Sequence, residues 1–200
     1  MGSPTRSYRG RSAAERTAER RERLLTAALE SWGDGGWASV TMRGVCARAG
    51  LNDRYFYESF ADVEALLLAV YDRALDDMVR HLDRAASAQP DPRLRLRASV
   101  AAFVGAFTAD PRRARVGLAE PAGSPALERR RRATYAMFAE LARGELSPAD
   151  AAGFDTAMFF ALGGAAELVI RWLEGTLPLT AGELEERVAT LVLAVVAPHL

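Results

Sequence analysis

The chain of 200 residues contains no lysine, so all 26 of its basic residues are arginine. Alongside so much alanine, this reads as genomic base composition rather than a demand for guanidinium chemistry, and arginine counts alone carry little weight. Cysteine occurs once, at Cys46, which excludes an internal disulfide and a cysteine-based metal cluster. The two histidines, His81 and His199, are far apart in sequence, which argues against a zinc or triad site. Neither sign of charge prevails, since 26 acidic residues balance the arginines. That excludes a globally basic nucleic-acid coat and an acidic disordered tail, but leaves room for a local patch. Nowhere is there a run of about 18 apolar residues. The richest stretch, Ala157 to Leu173, is broken by Glu167 and Arg171. Residues 1–13 lack the apolar centre of a secretory signal. The expectation is a soluble, cytoplasmic protein with no metal, no cofactor and no membrane partner.

What is present is helical. Half the residues are hydrophobic, enough for a sizeable core, and strand signals are nearly absent. Alanine, leucine, glutamate and arginine dominate, all strong helix formers. Caps and breakers mark about nine helices, an all-α fold. The first covers 14–32, with Leu24, Leu25, Ala28, Leu29 and Trp32 as its apolar stripe, and Gly33-Asp34-Gly35-Gly36 stops it. Thr41 caps 42–49, Asn52 caps 53–59, and Asp62 caps a helix to about Ala86. Further helices are expected at 93–109, at 111–118 ahead of Pro121 and Gly123, and from Pro125 to about Arg143. Ser147-Pro148 opens another to about Glu174. Thr180 with Glu183, a capping box, opens the last, to about Ala197.

Thr41 to Phe60 carries the chemistry. Two short helices joined at Gly50 form a helix-turn-helix. Cys46 and Ala49 are small where the helices cross, and Gly50 suits the turn. Val45, Leu51, Phe56 and Phe60 lock the pair onto the rest. Two short helices are often only a corner of an all-α core. Here, however, the adjacent aromatics Tyr55, Phe56 and Tyr57 cannot all point into one core from a helix. In addition, residues 1–23 hold seven arginines and three glutamates, a local charge of +4 suited to phosphate contacts. Thr41 can present its hydroxyl and a helix N-terminus to phosphate. Arg54 suits bidentate reading of guanine, and Tyr55 can pack on a thymine methyl or contact phosphate. Asp53 either accepts from cytosine or stabilises its own helix N-terminus. Arg43 and Asn52 complete the candidate DNA-binding set. Cys46 reads as a buried small residue and not a redox sensor.

Residues 14–75 resemble the DNA-binding region of TetR-family transcriptional repressors. The resemblance lies in the order Ala27-Ala28-Leu29-Glu30, a glycine-rich turn, Val40-Thr41-Met42, Val45 to Leu51, Phe56-Tyr57-Glu58-Ser59-Phe60 and Glu64-Ala65-Leu66-Leu67. It implies a phosphate contact for Tyr57. This chain departs from the family pattern at Asn52, Asp53, Arg54 and Tyr55, at Ser59 in place of a usual His, and at Val63 in place of a common lysine. The operator therefore does not follow from family averages.

The implied organisation is an arm at 1–13, a helix-turn-helix domain at 14–61 and a helical ligand-binding and dimerisation domain at 62–200. For the last, Met78, Phe103, Phe107, Met137, Phe138 and Trp172 are the candidate lining of an apolar site. Gly163, Gly164, Leu184, Val188, Leu191 and Val195 are the candidate dimer contacts. The reading is a ligand-responsive regulator, expected to be a repressor. Its expected partners are a palindromic DNA operator, a small apolar ligand and a second copy of the chain. The alternatives are an all-α enzyme or carrier whose helix-turn-helix is only structural, and an architectural DNA protein without a ligand. Against an enzyme, no carboxylate pair, Cys/His set or phosphate loop stands at catalytic spacing.

Overall fold

The structure, a computed structural model, describes residues 12–119 and 124–200. The expected arm, except for Ser12 and Ala13, and the break at Pro121 and Gly123 lie outside the described residues. Among those described there are nine α-helices and no strand. They run α1 Ala13–Gly35, α2 Met42–Ala49, α3 Asp53–Ser59, α4 Val63–Ser87, α5 Pro92–Ala109, α6 Pro111–Ala114, α7 Pro125–Leu146, α8 Ala151–Leu173 and α9 Ala181–Val196. The chain divides into two compact units, one ending at Tyr71 and one running Asp72–Leu200, so the boundary falls within α4.

In the first unit, α1 packs against both α2 and α3. Leu24, Leu25, Ala28 and Trp32 are buried along one stripe of α1, as the periodicity predicts. The helix runs through Gly33 and Asp34, further than expected, and ends at Gly36 with φ +83°. One helical glycine costs only about 1 kcal/mol. The stop falls instead where a positive φ is required and the Gly36 N–H closes on the Trp32 carbonyl at 2.8 Å. Both short helices begin and end at the expected residues, because their caps are local. Thr41 Oγ1 accepts from the Gly44 N–H at 3.1 Å, and Asn52 Oδ1 from the Tyr55 N–H at 3.4 Å.

In the second unit α5, α7, α8 and α9 enclose an apolar core centred on Val104, Phe154, Val169, Leu184 and Val196. Two boundaries differ from the sequence reading. α7 continues past Gly144 to Leu146, whose burial compensates for the glycine, and Ser147 ends it at φ +48°. α8 therefore starts at Ala151, capped by Asp150 and not by Ser147, with the Gly153 N–H donating to Asp150 Oδ1 at 3.1 Å. The capping box of α9 forms as expected between Thr180 and Glu183. By length and composition alone α8 could cross a bilayer, but a third of that stretch is buried inside the protein.

Candidate DNA interface and apolar cavity

The turn between α2 and α3 depends on a left-handed residue, and Gly50 supplies it at φ +61°. Arg23 of α1 reaches across and donates through Nη2 to the Ala49 carbonyl, with the Gly50 carbonyl at 3.4 Å. It thereby satisfies the carbonyl end of α2 and ties the turn to the first helix. A Cβ at position 50 would sit 3.1 Å from that guanidinium. Cys46 is buried beneath the turn, and burial first, then the nearby Asp53 carboxylate, push its thiol pKa up. That favours the neutral, unreactive thiol.

The three adjacent aromatics part as the helical geometry requires. Phe56 is fully buried, Tyr55 is half-buried and Tyr57 is 62% exposed. Phe56 meets Phe60 at 5.9 Å between ring centroids, locking α3 down. Of the candidate DNA contacts, Thr41, Arg43, Asn52, Asp53, Arg54 and Tyr57 are all exposed. The side chain of Arg54 is 82% exposed, and its Nε donates to Glu58 Oε1 at 3.0 Å one turn on. Glu58 Oε2 lies 3.5 Å from Arg20 Nη2, and the Arg20 guanidinium sits 4.4 Å from the Tyr55 ring centroid. Exposed pairs of this kind contribute about 0.2–1 kcal/mol. A bidentate arginine–guanine contact gives about 1–3 kcal/mol of discrimination, enough to draw Arg54 away. Sequence reasoning missed Arg20, Arg23 and Glu58. The Arg54–Glu58 spacing was visible as an i,i+4 pair, whereas Arg20 and Arg23 meet their partners across 38 and 26 residues.

Within the second unit, α4, α5, α7, α8 and α9 border a cavity of about 340 Å³. Phe103, Phe138, Met158, Ala161 and Ala165 line it. Charge is confined to Arg80, Asp83, Arg95 and Glu145, with Arg95 Nη1 donating to Glu145 Oε1 at 2.9 Å. The other four candidate lining residues stand elsewhere. Phe107 is buried edge-on to Phe103 at 4.9 Å, Trp172 donates its indole N–H to the Leu179 carbonyl at 2.7 Å, Met78 packs on the core, and Met137 is half-buried on α7. Small lining residues, Ala142, Ala161 and Ala165 among them, leave the space open.

The candidate dimer residues also separate. Leu184 and Val188 are buried in the chain's own core, while Val195 is half-buried. Leu191 is 56% exposed, and nothing lies within 4 Å of a Cβ built at Gly163 or Gly164. Phe159 and Phe160, at 47% and 72% exposure, extend that apolar outer face of α8.

Residues 24–70 match the sequence profile of the TetR_N domain, described as bacterial regulatory proteins of the tetR family. The chain is 39% identical over 85 residues to the HTH-type transcriptional activator FasR of Mycolicibacterium smegmatis, covering 42% of this chain and 39% of that protein. Solved structures extend the likeness over nearly the whole fold. The fatty acid degradation regulator FadR from Bacillus halodurans superposes with a TM-score of 0.74 at 18% identity, over 87% of this chain and 94% of that one. FadR from Bacillus subtilis in complex with stearoyl-CoA does so with a TM-score of 0.68 at 14% identity, over 88% and 97%. Over residues 24–70, therefore, the chain is similar to the bacterial regulatory proteins of the tetR family.

Proposed function

We propose that this protein is a ligand-responsive, sequence-specific DNA-binding regulator of transcription, acting in the cytoplasm as a homodimer and without catalytic activity. The observation that carries the reading is the disposition of α3. Fully buried Phe56 anchors it, while Arg54 and Tyr57 stand in solvent beside it. A helix built only to close a core does not turn an arginine and a tyrosine outward from one anchoring ring. In this reading Arg54 reads a base edge, Tyr57 and Arg43 take phosphates, and Thr41 offers the N-terminus of α2 to another. Asn52 caps α3, and Asp53 favours its N-terminus electrostatically.

The ligand is a small, largely apolar molecule held in the second unit by Phe103, Phe138, Met158 and the alanines of α8. The cavity volume falls in the range of small-molecule sites, and the acyl chain of the stearoyl-CoA in the Bacillus subtilis neighbour's complex supports an apolar occupant. The outer face of α8 and α9, with Phe160, Gly163, Gly164 and Leu191, is the proposed dimer contact. A protein partner suits α8 better than a bilayer, because its other face closes the core through Phe154 and Met158. A dimer presents two recognition helices to a palindrome. We further propose repression, which needs only occupancy of a promoter by these surfaces. A reporter that rises when the chain is deleted supports it; a falling reporter makes the protein an activator.

The test is calorimetric titration of stearoyl-CoA into the protein, with and without a duplex selected from a randomised library. Coupling of about 2.7 kcal/mol, within the usual allosteric range, makes DNA weaken stearoyl-CoA binding about 100-fold and the reverse equally. Equal affinities in the two titrations reject control of DNA binding through this ligand.

A further inference from the structure

Resting on that DNA-binding reading, we propose that Glu58 determines specificity by holding Arg54 and Arg20 away from DNA phosphates until a matching base edge is present. Each carboxylate oxygen of Glu58 faces one guanidinium: Oε1 lies 3.0 Å from Arg54 Nε and Oε2 lies 3.5 Å from Arg20 Nη2. Arg20 is held further by Thr17, to whose Oγ1 it donates at 2.9 Å, and by the Tyr55 ring beneath it. The side chain of Arg20 is only 22% exposed, that of Glu58 35% and that of Arg54 82%. The anion is therefore held by the less exposed arginine, and the more exposed arginine is tethered to it.

This arrangement treats random and matched DNA differently. Any duplex approaching α3 brings phosphates toward the Glu58 carboxylate, which repels them, and the tethered Arg54 already faces an opposite charge. A phosphate can also take the guanidinium fork, but it recurs at every step of any sequence and exchanges one charge partner for another. A guanine edge offers two directed hydrogen bonds in the plane of the guanidinium, which an exposed single-contact ion pair does not match. The cost set by Glu58 falls on every sequence, and only the correct base recovers it. Removing the negative charge therefore strengthens random binding more than operator binding, and specificity is lost while affinity rises.

The experiment compares the full chain with Glu58→Gln and Glu58→Asp by fluorescence anisotropy over a salt series. The two probes are a mixed-sequence duplex and the duplex that the wild type selects from a randomised library. Glu58→Gln is expected to bind the mixed duplex at least about threefold tighter, with a salt slope steeper by about 1 per recognition helix. The ratio of selected to mixed affinity falls, and Glu58→Asp, which keeps the charge but shortens the tether, falls between Glu58→Gln and the wild type. In an Arg54→Ala background the Glu58→Gln gain shrinks by more than half. An unchanged ratio and slope, or equal weakening on both duplexes, overturns the proposal, the latter pointing to a purely structural Glu58. A full gain without Arg54 overturns the tether. Wild-type protein that binds neither duplex overturns the DNA reading itself, a separate outcome from failure of the Glu58 variants alone.

Discussion

The first unit fills its interior with large side chains, and the second leaves part of its interior open. Trp32, Phe56, Leu24 and Leu66 have essentially no exposed surface. In the second unit, Ala142, Ala161 and Ala165 line about 340 Å³ of space together with Phe103 and Phe138. A surface that must meet a rigid duplex benefits from a rigid support, because a recognition helix displaced by an ångström loses directed contacts. A site that must admit a ligand keeps room for it and accepts lower packing. The two units thus spend their apolar residues differently: one to hold side chains outward in a fixed place, the other to shape a space inward.

The largest loss is expected in the first unit. Phe56→Ala leaves a cavity under α3 and is expected to cost about 3–5 kcal/mol. Chemical denaturation should show that loss, with DNA binding abolished. A loss well below that range means the first unit is less tightly packed than described. In the second unit the expected sign is opposite, because added volume is accommodated. Ala161→Trp should fill the cavity and weaken stearoyl-CoA binding about 100-fold, while DNA binding persists and no longer responds to the ligand. Retained stearoyl-CoA affinity, measured calorimetrically, places that ligand elsewhere.

The outer face of the second unit is the next point of attack. A Cβ at Gly163 meets nothing within 4 Å, so Gly163→Leu is expected to leave the fold of one copy intact. Sedimentation should show the dimer dissociation constant rising about tenfold or more. A wild-type monomer at micromolar concentration, or an unperturbed variant dimer, removes this interface. The smallest expected effect is acidic. Hydrogen bonds from Arg131 above all, and from Arg132, lower the Glu128 pKa to about 2 from an ordinary 4.5. Because the folded value lies below the unfolded one, this clasp on α7 contributes above pH 4.5 and is lost as pH falls toward about 2. Glu128→Gln should therefore show a shallower loss of melting temperature over that interval than the wild type. Parallel curves mean that the clasp is inconsequential.

How far each unit could be read from sequence follows from the same difference. Thr41, Gly50 and Asn52 act within three or four residues of themselves, so the limits of α2 and α3 were legible to the residue. The division of labour among Tyr55, Phe56 and Tyr57 follows from helical geometry alone. The contacts of Arg20 and Arg23 were not legible, because they depend on how α1 crosses α2 and α3. In the second unit Phe103 and Phe138 signalled an apolar site. Ala161 and Ala165 did not, since alanine in a helix reads as a good helix former whether it faces a neighbour or a void. α9 is apolar on two sides, and periodicity does not say which is inward. Leu184 and Val188 belong to the buried side and Leu191 to the exposed one.

The central claim is that α3 reads base sequence through Arg54. Selection from a randomised duplex library, run in parallel with the wild-type protein and with Arg54→Ala, tests it most directly. The wild type should enrich a two-fold symmetric sequence with half-sites about one helical turn, or a multiple, apart. The variant should lose about 1–3 kcal/mol and relax its preference at one position in each half-site. No enrichment with the wild type, or the same sequence and the same preference with Arg54→Ala, contradicts it.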